Sequence, residues 1–162
     1  MNIGTSRDTS EFACHSLQYW WYNRGKYDYP DATELLILVD CGGSNGYRHY
    51  VFKEALQKLA ITIGLDIRIA HYPPYTSKWN PIEHRLFSQI TRSLSGVVLS
   101  SYDIMKQLIK KTVTDTGLKV RANIIDKVYV TGKKVAKDFK KNMKIVFDDY
   151  LPQWNYIAKC KV

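Results

Sequence analysis

Glu34-Leu35-Leu36-Ile37-Leu38-Val39-Asp40 sets five consecutive apolar residues between turn-forming flanks, and its reading decides the fold. A short apolar run of this kind reads as a strand buried on both faces, as in the middle of an α/β sheet. Asp40 lies at its C-terminal end. The segment that follows, Cys41-Gly42-Gly43-Ser44-Asn45-Gly46, is a flexible turn. Beyond it Phe52, Leu56, Leu59 and Ile63 recur at helical spacing, with Gly64 as a natural stop. Residues 65–70 then alternate apolar and polar, the period of a second strand. Strand, helix and strand within about thirty residues make a right-handed βαβ crossover the default, and the fold class α/β.

Upstream, Asp8 and Glu11 stand in a capping-box arrangement before Phe12, Ala13, Leu17, Trp20 and Trp21, so a helix is expected to begin near Asp8 and fade at Asn23-Arg24-Gly25. Downstream, residues 71–79 hold two prolines and several aromatics and cannot be regular structure. Asn80 is expected to cap a helix with Pro81 at its first position, Glu83 two residues on, and Ile82, Leu86 and Ile90 as its apolar stripe. Residues 101–114 look helical, 128–130 read as a short strand, and 154–157 as a final strand or an ordered tail. Lys133, Lys137, Lys140 and Lys144 fall on one helical face over 133–144, opposite Val135, Phe139 and Met143, which predicts a basic amphipathic helix. No repeat or linker interrupts the chain. The expectation is one domain over 1–162, a core over 1–95 and a basic α-rich extension over 96–162.

With 162 residues, 45% hydrophobic and 13% aromatic, the composition is that of a folded chain rather than a disordered tail. No apolar run is long enough for a membrane span, and the polar start lacks a signal core, which predicts a cytoplasmic location. Cys14, Cys41 and Cys160 have no paired metal spacing and fit reduced thiols. The net charge of +9 is uneven: residues 1–100 hold ten basic and nine acidic side chains, residues 101–162 fourteen and six. Such a basic segment points to a polyanionic partner, nucleic acid above all, with a solvated lysine-rich face as the plainer reading.

Two carboxylates have positions that suggest chemistry. Asp40 ends a strand, where α/β folds expose functional side chains. Glu83 opens a helix behind the aromatic-proline loop. Brought to one edge, the pair could share Mg²⁺ or Mn²⁺, hard ions that prefer oxygen ligands and support phosphodiester chemistry. Each also has a structural account: Glu83 as the capping-box partner of Asn80, Asp40 as the opener of a turn. The glycine turn lacks both nucleotide-binding patterns, the spacing of His49, His71 and His84 gives weak support to a metal site, and no nucleophile-elbow motif is present.

The segments 40–46 and 71–88, the latter reading HYPPYTSKWNPIEHRLFS, resemble an insertion-sequence DDE transposase of the Rhodopirellula type, and more distantly the mariner-like superfamily. The resemblance extends through 8–13, Trp20-Trp21, 114–120 and 154–156. It implies a ribonuclease-H-like core that cuts and joins DNA with two divalent ions, Mg²⁺ or Mn²⁺, held by Asp, Asp and Glu. By motif, Asp40 matches the second aspartate and Glu83 the glutamate. Asn45, His71, Lys78 and Asn80 are implied to surround that edge as supporting or DNA-contacting groups, and the lysines of 133–144 to grip the backbone. The family's first aspartate lies on an earlier strand than any this chain matches, so a truncated chain, a partial ribonuclease-H-like core, is expected. Partners implied are DNA, at transposon ends and target, together with a homo-oligomer or a full-length transposase. The alternative function is a noncatalytic DNA-binding remnant or interaction module; a third, a Mg²⁺-dependent nuclease, needs a further carboxylate from Asp8, Asp28 or Asp31.

Overall fold

The structure, a computed structural model, describes residues 1–161, the side chain of Ser77 apart. The chain partitions into two compact units, one made of Met1–Arg7 and Ser77–Val128, the other of Asp8–Thr76 and Tyr129–Val162.

The second of these is built on a four-stranded sheet. Its elements are helix α1 (Ser10–Trp20), continued by a π-turn (Trp21–Gly25) and a short α2 (Lys26–Asp28), then strand β2 (Glu34–Val39), helix α3 (Tyr50–Ile63), strand β3 (Asp66–His71), one-turn helix α6 (Phe139–Asn142), and strands β5 (Ile145–Phe147) and β6 (Asn155–Ala158). The sheet order is β2-β3-β6-β5. β2 and β3 are parallel, with Val39 opposite His71, as expected of a βαβ unit; β6 runs antiparallel to both neighbours. Alternation sends Ile67, Ile69, Ile145, Tyr156 and Ala158 to one face, against Phe52, Leu56, Leu59 and Ala60 of α3 and Cys14 of α1. Gly64 ends α3 in the left-handed conformation at φ 73°, its amide donating to Ala60, so the expected stop holds.

Several sequence expectations are corrected here. β2 lies at the edge of the sheet, and Leu36 and Leu38 on its outer row are 56% and 46% exposed, so the strand is not buried on both faces. A run of leucines satisfies an inner row and an outer row alike, and cannot report which one is covered. The N-cap of α1 is Thr9, whose hydroxyl accepts from the Phe12 amide at 3.1 Å, not Asp8. Residues 133–144 do not form one helix: only Phe139–Asn142 is helical, and Ile145–Phe147 pairs with β6. That pairing captures the segment for the sheet, so the end of 96–162 is woven into the sheet rather than forming an α-rich extension. Residues 128–130 are extended without strand pairing, Tyr129 inward and Val128 and Val130 outward.

The other unit pairs β1 (Asn2–Gly4) in parallel with β4 (Asn123–Ile125), beside α4 (Ser88–Leu94) and α5 (Tyr102–Lys110). Ile3, Ile90, Ile109 and Ala122 form its core. α5 is capped by Ser101, whose hydroxyl accepts from Ile104 at 3.2 Å. Among the described residues, no helix is long and apolar enough to cross a membrane.

Candidate functional site

Asp40 is the first residue beyond β2, half-buried, and its carboxylate has no hydrogen-bond or ion-pair partner among the described residues. A Cβ added at Gly42 would meet its Oδ2 at 3.7 Å, so the turn folds back close to the carboxylate. Gly43 takes φ 57°, which a β-carbon disfavours.

The loop that follows is fixed through its main-chain carbonyls. Ser10 of α1 donates its hydroxyl to Ser44 O at 2.6 Å. The His71 ring, at the end of β3, spans the carbonyls of Asn45 (Nε2, 3.0 Å) and Trp154 (Nδ1, 2.9 Å). Lys53 of α3 donates its ammonium to Tyr47 O. All three side chains are buried, and they come from three different elements. Ser44 in turn donates to the Asp8 carboxylate at 3.1 Å. Buried polar groups seek partners, so each of these contacts resists the loop's displacement.

Burial pushes the Lys53 ammonium down from 10.5 to about 8. The Tyr156 ring 4.6 Å away, the Tyr50 ring at 5.3 Å and the Tyr47 carbonyl offset part of that desolvation. Tyr156 itself has a buried hydroxyl without a partner, and its phenol is pushed upward by burial, then by the neighbouring Cys14 and Cys41. Cys41 donates its thiol to Tyr72 O at 2.9 Å; burial first, and the Asp40 charge second, push that thiol up. The three cysteines are free. Of this clamp the sequence marks only His71, as a supporting or DNA-contacting group; its ring lies buried between two carbonyls. Lys53 did carry a signal, since it shares a helical face with Leu56 and Ala60, where a lysine needs a reason. Ser10 carried none.

Glu83 belongs to the other compact unit. Asn80 accepts at its side chain from the Ile82 amide at 3.3 Å, and at its carbonyl from the Glu83 amide at 3.1 Å. The Glu83 carboxylate makes no return bond to Asn80, so the expected capping box is not closed. It has no hydrogen-bond or ion-pair partner among the described residues, and it opens a π-turn (Glu83–Phe87) that runs into α4. Such turns insert one residue into a helix and recur at functional sites. His84 donates through Nε2 to Lys78 O at 2.6 Å, and Lys78 lies over the exposed Trp79 ring at 5.2 Å.

The four lysines of 133–144 do not share a face. Lys133 is paired with Glu11, Lys140 stands 4.3 Å from the centre of the Tyr50 ring, Lys144 leads into β5, and Lys137 is exposed. A cavity of about 470 Å³ lies between α1 and α3, lined by Glu11, Cys14, Lys58 and Lys133 among others, and takes no residue from the loops after β2 or β3. Burial pushes the Cys14 thiol there up to about 12.

Asp40 and Glu83, each half-buried and each without a hydrogen-bond or ion-pair partner among the described residues, carry the oxygen donors that Mg²⁺ or Mn²⁺ prefers. Among the described residues, however, no group of three or more His, Cys, Asp or Glu side chains is arranged to hold a metal ion. In chemistry each carboxylate suits a divalent ion, and neither stands in such a cluster.

No curated protein and no solved structure matches the chain. One family does: its model, described as the Rhodopirellula transposase DDE domain, matches residues 1–160. A match over nearly all of the sequence leads to one conclusion: the chain belongs to the Rhodopirellula-type DDE transposases.

Proposed function

We propose that this chain serves DNA transposition, with Asp40 and Glu83 as ligands for Mg²⁺ or Mn²⁺ in cleavage and strand transfer of DNA phosphodiesters. The observation that carries the reading is the state of the two carboxylates: both stand at motif positions, and neither is used by the fold. Bound divalent ions supply Lewis-acid activation and neutralise charge on the phosphate. The residues do the placing. Asp40 is held by the Ser10, His71 and Lys53 contacts to the loop behind it, and Glu83 by the turn at Asn80. Hydrolysis forms a bond from the water oxygen to phosphorus and releases a 3′-hydroxyl; strand transfer repeats the displacement with that hydroxyl as nucleophile. DNA, at transposon ends and target, is the partner, and a ribonuclease-H-like arrangement the expected frame.

The test is strand cleavage with Mn²⁺, comparing the chain with Asp40→Ala and Glu83→Ala. Activity lost in both variants supports the reading; equal background from all three chains overturns autonomous catalysis.

The incomplete ligand count favours a second reading, a noncatalytic DNA-binding remnant or a module that associates with full-length transposase or a second copy of itself. Titration with duplex DNA across salt concentrations tests it, because phosphate contacts make binding fall steeply with salt. Absence of binding at low salt would defeat the DNA-binding form.

A further inference from the structure

Pro73, Pro74, Tyr75 and Thr76 leave β3 in a tight turn. The Thr76 amide donates to the Pro73 carbonyl at 3.2 Å, and the Thr76 hydroxyl to the same oxygen at 2.6 Å. Tyr75 sits at the third position with φ 64°, the one non-glycine in the left-handed region among the described residues. A turn with proline second and a left-handed third residue calls for glycine or asparagine there, since a β-carbon is disfavoured. Tyrosine occupies it instead, and its side chain is 100% exposed. It makes no hydrogen bond, ion pair or ring contact among the described residues, and none of those contacts explains a bulky aromatic in a strained position. The prolines before it fix the backbone that presents the ring.

The turn stands beside the candidate site. The Tyr72 amide donates to the Val39 carbonyl at 2.8 Å, and β2 and β3 run parallel, so the Pro-Pro turn and Asp40 leave the same edge of the sheet. On a chain of net charge +9, a rigid aromatic face at that edge suits a nucleobase.

We propose that Tyr75 is a stacking platform for an unpaired DNA base beside the site that Asp40 serves. The proposal rests on the nucleic-acid reading above and adds a contact to a base rather than to phosphate. Stacking is indifferent to base identity, because every base has a π-face, but it requires a base free of its pair.

The experiment measures binding of the full chain to a labelled duplex with a short central gap carrying 2-aminopurine, and to the same duplex without the gap. Tyr75→Asn suits the turn and removes the ring; Tyr75→Phe keeps the ring. Loss of one stacked base corresponds to about 5- to 150-fold in affinity. The expected result is that Tyr75→Asn weakens gapped-DNA binding within that range and abolishes quenching of 2-aminopurine, and affects intact duplex far less. Tyr75→Phe retains both signals, and Tyr75→Asn melts at or above the wild-type temperature. Wild-type affinity and quenching in Tyr75→Asn would overturn the stacking role alone, leaving DNA binding intact. A lower melting temperature for Tyr75→Asn would make the tyrosine a structural residue and overturn it too. A wild-type chain that binds neither DNA at low salt would remove the nucleic-acid reading and this proposal together.

Discussion

Two loops leave the same edge of one sheet and are held by opposite means. The loop after β2 is glycine-rich and intrinsically loose, and buried side chains from α1, β3 and α3 fasten its carbonyls at Ser44, Asn45 and Tyr47. The loop after β3 is stiff in its own covalent geometry, with Pro73 and Pro74 ahead of a fully exposed Tyr75. The first therefore draws its order from the fold and should lose it when the fold's contacts are cut. The second carries its order within four residues and should tolerate changes elsewhere. A strand-end carboxylate beside the first loop gains a fixed position, and an aromatic ring on the second a fixed presentation.

The comparison breaks most sharply at His71. His71→Leu keeps the volume but leaves the Asn45 carbonyl without its buried ring partner, at about 1–3 kcal/mol, while the Trp154 carbonyl keeps the main-chain amide of residue 71. A loss of about 1–3 kcal/mol is therefore expected by denaturant unfolding. Hydrogen exchange should quicken over 43–47 and stay unchanged over 73–76. Equal acceleration in both loops would erase the distinction drawn between them.

Lys53 sharpens it through pH. Its ammonium is pushed down to about 8 in the fold, below the 10.5 of an unperturbed lysine, so the native chain holds fewer protons than the unfolded chain between those values. Its contribution to stability is therefore least favourable below pH 8, rises between about 8 and 10.5, and is constant above. The rise should amount to about 1–3 kcal/mol, the tyrosine faces reducing it. Lys53→Met should lack this rise relative to wild type, with stability at neutral pH within about 1 kcal/mol, since desolvation and the lost contacts oppose each other. A rise of equal size in the variant would assign it to another group.

Pro74→Ala probes the second loop. Proline at this turn position restricts the unfolded chain, so its removal should cost about 0.4–1 kcal/mol, a melting shift of a few degrees, with exchange over 43–47 unaffected.

Much of the frame was legible in sequence because periodicity reports burial. The β2–α3–β3 unit followed from the apolar run at 34–39, the stripe of Phe52, Leu56 and Leu59, and the alternation after Gly64. The same signal misled where spacing and pairing compete. Lysines at 133, 137, 140 and 144 imitate one helical face, yet Ile145–Phe147 gains a neighbouring strand that no local pattern announces. The places of Asp40 just beyond a strand and Glu83 at the start of a helical segment were readable because element ends are marked by side chains. The clamp behind Asp40 was not, because its acceptors are main-chain carbonyls, identical at every residue, and Ser10 and Lys53 reach them from distant parts of the chain.

The smallest expected effect bears most directly on function. Asp40 and Glu83 have no partner in the fold, so Asp40→Ala and Glu83→Ala remove no hydrogen bond and no ion pair, and neither side chain is fully buried. Surface changes away from such features stay within about 0.5 kcal/mol, and both variants should unfold at wild-type denaturant concentrations. Together with His71→Leu this makes a clean contrast. A clamp variant should lose stability and, with it, the position of Asp40, whereas a carboxylate variant should lose only what the carboxylate does. A divalent-ion titration followed by melting temperature separates the two: Mg²⁺ or Mn²⁺ that binds the native chain through these carboxylates should raise the wild-type melting temperature and leave the Asp40→Ala temperature unmoved. If Asp40→Ala instead melted several degrees lower without any ion, the aspartate would belong to the fold, and its freedom from partners would have no catalytic meaning.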